Sequence, residues 1–268
     1  MRFQREITAA VLIPAVLAVL VAAPLWAWAL LVAAATTLAL LEFYRLIEAA
    51  GWIVPKSAGV GLFLALVAAA YLASLLMLVV LAGVALFALP TLVMFASPRE
   101  AVLLASSASS VFATLYVALG AGAMVGLRAH GWRPVLFVLA TVWASDSAAY
   151  YVGRKWGKRK LAPVVSPKKT VEGLFAQLAA GAVFGLAASF LLGAGRAAIF
   201  GAATGLLIAG LAVVGDLLES TFKRSCAVKD SGGILPGHGG LLDRLDSLLF
   251  VSPAVLLLLT ILPESLPR

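Results

Sequence analysis

Charge is scarce in this chain. Asp, Glu, Lys and Arg together make up 12% of 268 residues. Cysteine is nearly missing: Cys226 stands alone, which excludes an internal disulfide and any cysteine-based metal site and leaves a small filler residue. Histidine is limited to His130 and His238. The apolar runs also lack the polar–apolar alternation of barrel strands. What fills the sequence instead is apolar: 63% of residues are hydrophobic and the mean hydropathy is +1.08. A soluble domain of this size cannot hide that much apolar surface. Repeated apolar runs of 18 or more residues mean transmembrane helices. The chain is therefore expected to be an all-α polytopic membrane protein with about nine transmembrane helices. The net charge of +8 then reflects topology and anionic lipid, and nucleic acid is not an expected partner.

Taken in order, the spans are Ile7 to Ala23, with Pro14 inside, and Leu25 to about Ile47, with Pro24 between them. The first reads as a membrane anchor, because no small-residue cleavage site with a soluble domain follows it. Residues 48–57 are a polar loop. The apolar block from Ala58 to Phe95 exceeds one helix, which needs about 20 residues, so it divides near Ala73-Ser74 into two short spans. Ala101 to Leu127 is the fifth span, and its serines and glycines permit close helix approach and a homodimer. Val135 to Val152, 174–193, 197–218 and Leu248 to Leu262 complete the set. Under this arrangement 16 Lys and Arg fall on the side of the N-terminus and 4 on the other. The positive-inside rule makes the first side cytoplasmic. Residues 1–130 form five N-terminal spans, and 131–268 a C-terminal catalytic part with a basic loop, 153–173, and a charged segment, 216–246.

Ser220 to Asp246 breaks the apolar pattern. Its 27 residues carry four basic side chains, three acids, His238 and five glycines. Glycines let backbone approach a ligand closely. Lys223, Arg224, Lys229 and Arg244 are of phosphate-binding type, and Asp230, Asp243 and Asp246 are hard oxygen donors of the kind Mg²⁺ prefers. Just upstream, Asp216, Glu219, Ser220 and Lys223 fall on one helical face. Asp243 and Asp246, three apart, share a face if that segment is helical. Asp216, Asp243 and Asp246 could then converge on a divalent ion, or pair with Lys223 and Arg244.

This stretch resembles the signature of the phosphatidate cytidylyltransferases. Ser220, Lys223, Arg224, Lys229, Asp230, His238, Gly239, Gly240, Asp243, Arg244 and Asp246 fall in register with that family's pattern, with no departure at a fixed position. Two flanking segments extend the likeness. Asp146, Ser147, Ala149, Tyr150 and Gly153 are similar to one family pattern, and Ser166-Pro-Lys-Lys-Thr-Val-Glu-Gly173 to another. Physically, Asp146 is an acid inside an apolar span, where a carboxylate costs roughly 2.5–3.5 kcal/mol, so it is expected to line a polar cavity. Lys168, Lys169 and Thr170 offer cationic and hydroxyl groups to phosphate, and Glu172 is placed to hold a lysine.

The resemblance implies CTP and phosphatidic acid as substrates, membrane lipids as surroundings, and CDP-diacylglycerol and pyrophosphate as products of phospholipid synthesis. It also implies Mg²⁺, with room for a second cation. The expected metal ligands are Asp216, Asp243 and Asp246, with Lys168, Lys169, Lys223 and Arg224 on phosphates. Catalysis would be positioning and charge neutralisation at the cytoplasmic face. The competing readings are another CTP-dependent lipid enzyme, a polyprenol kinase or ether-lipid cytidylyltransferase, and an anion transporter. Transporters often repeat their binding helices in two halves. Residues 1–130 repeat nothing of the signature.

Overall fold

The computed structural model describes residues 2–96, 100–191, 198–228, 231–232 and 239–262, with side chains for all of these except 2–9, 100 and 198–199. Among the described residues the chain forms nine helices and one two-stranded ribbon. The helices are α1 (Arg2–Ala22), α2 (Leu25–Ala49), α3 (Lys56–Tyr71), α4 (Leu75–Ala96), α5 (Glu100–Ala129), α6 (Trp132–Trp156), α7 (Val171–Leu191), α8 (Ala198–Ser225) and α9 (Leu242–Ile261). The strands β1 (Lys160–Ala162) and β2 (Ser166–Thr170) pair antiparallel between α6 and α7. Seven helices are long and apolar enough to cross a membrane; α3 and the Ala10–Ala22 part of α1 are shorter apolar helices. Large apolar side chains such as Phe95, Phe87 and Leu104 stand outward, at 79%, 77% and 82% exposure, as lipid-facing residues do. The protein is an all-α polytopic membrane protein.

The apolar block 58–95 divides where its length requires. Leu72 ends α3, Ala73 takes a positive φ of 52°, and α4 starts at Leu75. Two boundaries differ from hydropathy. The eighth helix, expected to stop near 218, runs on to Ser225, and the ninth, expected from Leu248, begins at Leu242. In both places the helix extends beyond the apolar pattern, with acidic Asp243 in the first turn of α9 and basic Lys223 and Arg224 in the last turn of α8, where they suit the helix dipole. The basic loop also holds a ribbon that periodicity did not announce: Lys160 pairs with Thr170 and Ala162 with Ser166, with a register shift between them.

The chain forms two compact units. The first comprises Met1–Gly126 with Phe222–Leu245. Its helices are tied by polar contacts across an apolar interior. Trp28 Nε1 donates to the Met124 carbonyl at 3.1 Å, and Tyr44 Oη and Thr114 Oγ1 lie 2.6 Å apart. The Ile53 amide donates to Ser106 Oγ at 2.9 Å. Phe43, Phe112, Tyr116 and Phe222 form a ring cluster with centroids 5.1–6.3 Å apart. The charged segment from Phe222 onward thus packs with helices distant in sequence.

The second unit comprises Leu127–Thr221 and Asp246–Arg268. In it α7 and α8 cross backbone to backbone. A Cβ added at Gly181 would come within 2.6 Å of the Gly205 carbonyl, and one added at Gly201 within 2.6 Å of the Gly185 carbonyl. Two small-xxx-small pairs, Gly181/Gly185 and Gly201/Gly205, therefore face each other. In lipid, where apolar burial does not drive helices together, such close approach is a main source of association. Gly215 makes a similar fit of α8 against α9, with Phe250 Cβ 2.9 Å from an added Cβ.

Candidate active site

In the second unit, Asp146 comes from α6, Lys169 from β2, Asp216 from α8 and Asp246 from α9. Asp216, Asp146 and Lys169 all lie within electrostatic range of Asp246. Lys169 Nζ meets Asp216 Oδ2 at 2.8 Å, and Ser220 Oγ donates to Asp216 Oδ1 at 3.3 Å, one turn along the same helix. Asp146 Oδ1 accepts from Gln177 Nε2 of α7 at 2.6 Å. Asp246 is 8% exposed, with Oδ1 accepting from the Ser247 amide at 2.6 Å. Ser247 Oγ donates to the Ala212 carbonyl and ties α9 to α8.

The ribbon places Lys169. Thr170 is buried, and its Oγ1 accepts from the Gly173 amide at 3.2 Å, which caps the start of α7. Space for it comes from glycine: a Cβ at Gly153 would lie 2.9 Å from Thr170 Oγ1, and one at Gly157 2.7 Å. The glycines of the two flanking motifs and this threonine thus interlock. Thr170 has a structural task here, capping a helix in a closed pocket. Glu172 also acts differently from expectation. Among the described residues it accepts from the backbone amides of Lys158 and Arg159 at 3.0 and 3.2 Å, and pairs with Arg159 Nε at 3.2 Å, with no lysine ammonium against it. Lys168 stands exposed on β2.

In the first unit the charged segment is arranged around another pair. Lys223 Nζ meets Asp243 Oδ1 at 2.7 Å, and the two side chains are only 13% and 15% exposed. Asp243 Oδ2 accepts from the Gly240 amide at 3.2 Å. Gly239 has a positive φ of 81°, which suits glycine. Arg224 is exposed and donates to the Val228 carbonyl at 3.2 Å, closing the end of α8. Arg244 is exposed in the first turn of α9. Cys226 is buried, and burial pushes its thiol up, as suits a filler residue. Lys229, Asp230 and His238 lie outside the described residues.

Two residues that sequence reasoning passed over take part. Gln177 holds Asp146. Glu42, on α2, is fully buried, and its Oε2 accepts from the Leu242 amide at 2.8 Å and from Ser231 Oγ at 3.4 Å. A signal for Glu42 existed: it is an acid inside the apolar run Leu25 to Ile47, and the rule that singled out Asp146 applies equally to it.

The pattern of the family described as "Cytidylyltransferase family" matches residues 3–262. A protein of Staphylococcus epidermidis named phosphatidate cytidylyltransferase is 39% identical over 153 residues, covering 57% of this chain and 59% of that protein. One of the same name from Staphylococcus saprophyticus is 42% identical over 144 residues, covering 54% and 55%. One from Staphylococcus aureus (strain COL) is 39% identical over 153 residues. The matched stretch spans a little over half the length of these relatives.

Proposed function

The chain belongs to the cytidylyltransferase family, and from that premise we propose that it transfers CMP from CTP to phosphatidic acid within the membrane. A phosphate oxygen of phosphatidic acid attacks the α-phosphorus of CTP. The bond from that phosphorus to the oxygen bridging to the β-phosphorus breaks, pyrophosphate leaves, and CDP-diacylglycerol forms. The attacking oxygen is already anionic near neutral pH, so no side chain has to remove a proton. What the protein supplies is position and charge.

The observation that carries this reading is the gathering of Asp146, Asp216 and Asp246 from three helices around Lys169. The relatives named phosphatidate cytidylyltransferase support the choice of substrates. Among the described residues, no group of three or more His, Cys, Asp or Glu has the geometry of a preformed metal site. The donor chemistry nevertheless suits a hard divalent cation: these are carboxylate oxygens, and Lys169 already sits against Asp216 as a countercharge. Asp216 and Asp246 would hold Mg²⁺, with Asp146 beside them; Asp243, expected as a third ligand, is instead paired with Lys223 in the first unit. When bound, the ion would neutralise charge building on the α-phosphoryl group and the departing pyrophosphate. Lys169 orients Asp216 and offers its ammonium to phosphate oxygens, and Gln177 fixes the direction of Asp146. In the first unit, Asp243 pairs with the Lys223 ammonium, and Lys223 and Arg224 are phosphate-binding types. The 16:4 division of basic residues supports a cytoplasmic position for these groups.

The test is labelled CTP added to membranes carrying the chain, with phosphatidic acid. A lipid-linked CMP product that needs phosphatidic acid, and release of pyrophosphate, are the expected results. Transfer of a phosphoryl group alone, or solute uptake without a lipid product, overturns the assignment.

A further inference from the structure

The helix α9 begins without a local cap. Leu241, just before it, cannot supply the side-chain oxygen that Ser, Thr, Asp or Asn would provide. The cap comes from 200 residues away: the Leu242 amide donates to Glu42 Oε2 at 2.8 Å. The same oxygen accepts from Ser231 Oγ at 3.4 Å. Gly232 and Gly240 press against this carboxylate. A Cβ at Gly240 would come within 2.7 Å of Glu42 Oε2, and one at Gly232 would collide with Oε1. Two glycines of the charged segment thus leave room for a buried acid. The next residue on α2, Phe43, packs its ring in a tilted contact with Phe222, centroids 5.3 Å apart, next to Lys223.

Adjacent residues of α2 therefore grip both ends of the charged segment: Phe43 at Phe222, and Glu42 at Ser231, Gly240 and Leu242. Between these grips lies the Lys223–Asp243 pair, whose Asp243 also accepts from the Gly240 amide. A carboxylate buried in a membrane span is costly, and this one is used on backbone amides at a helix start, where negative charge is favoured. Its Oε1 is buried with no hydrogen-bond partner among the described residues. We propose that Glu42 is a positioning residue for cytidylyl transfer: it sets the start of α9 and, through Gly240 and Asp243, the direction of the Lys223 ammonium. It acts through these groups and does not itself meet the reacting atoms. This rests on the function proposed above, where Lys223 grips phosphate.

The experiment uses the full chain in membranes and in detergent, as wild type, Glu42→Gln and Glu42→Ala. It reads CMP transfer and amide hydrogen exchange by peptide mass spectrometry. Glu42→Ala is expected to lower kcat/KM for CTP roughly 100-fold, the scale of a misplacement of about 1 Å at a reacting group. Exchange should rise in peptides covering 239–246, with α3 and α4 unchanged. Glu42→Gln keeps an acceptor for the Leu242 amide and should recover at least a tenth of wild-type kcat/KM. Activity of Glu42→Ala within threefold of wild type overturns the proposal. So does exchange raised throughout α2 to α5, or equal damage from Gln and Ala, either of which marks a general packing role. Should the wild-type chain show no CMP transfer, the functional reading fails, and the exchange data still decide whether Glu42 fastens this segment.

Discussion

The two units treat their acids differently. In the first, Glu42 and Asp243 are spent on local order: one accepts a helix-start amide and a serine hydroxyl, the other a lysine and a glycine amide. In the second, Asp146, Asp216 and Asp246 arrive from three helices within electrostatic range of one another and of Lys169. Like charges brought together are unfavourable for folding. An arrangement that gathers them suits the chemistry proposed above, whereas one that disperses them onto amides and a lysine orders the chain around it. The contrast teaches that an intramembrane acid is not by itself a catalytic group; its partners decide.

The sharpest way to break that contrast is to neutralise one acid at a time. Asp216→Asn or Asp246→Asn is expected to lower CMP transfer about 100- to 1,000-fold, with the detergent melting temperature within a few degrees of wild type. A variant of either residue that retained most of its transfer activity would remove the functional half of the comparison. Asp243→Ala should cost both transfer, through the released Lys223 ammonium, and stability. It leaves Lys223 largely buried beside a missing partner, and breaking such a pair costs about 3 kcal/mol, visible as a lowered denaturation midpoint; an unchanged midpoint would mean that the pair is not structural. The smallest effect concerns the frame alone. Gly205→Ala forces a methyl onto the Gly181 carbonyl and should destabilise by about 1–3 kcal/mol. Transfer per folded molecule should fall less than in the aspartate variants.

Much of this was legible in the sequence, for specific reasons. Apolar runs longer than a bilayer crossing located the helices, and an apolar block too long for one of them divided at Ala73. Asp146 is an acid inside an apolar span, Lys169 lies in an ordered motif and Asp216 on a polar helical face, which singled them out before any geometry. The turns of α8 and α9 beyond the apolar pattern were not legible, since hydropathy reports solvation and helix formation follows backbone hydrogen bonding. The ribbon was hidden because its strands are three and five residues long. Thr170 looked like a phosphate donor because hydroxyl chemistry is visible and a pocket made by Gly153, Gly157 and Gly173 is not. Glu42 shows the harder case. Its task depends on a backbone amide 200 residues away, and no spacing rule reaches that far.

The seam where Gly181 and Gly185 meet Gly201 and Gly205 has a mechanical meaning. A joint made largely of main chain has few rotamers to exchange, so α7 and α8 move together more readily than past one another. Lys169 stands at the foot of the first and Asp216 on the second. Their spacing is thereby insulated from the jostling of acyl tails, like two jaws machined from one block.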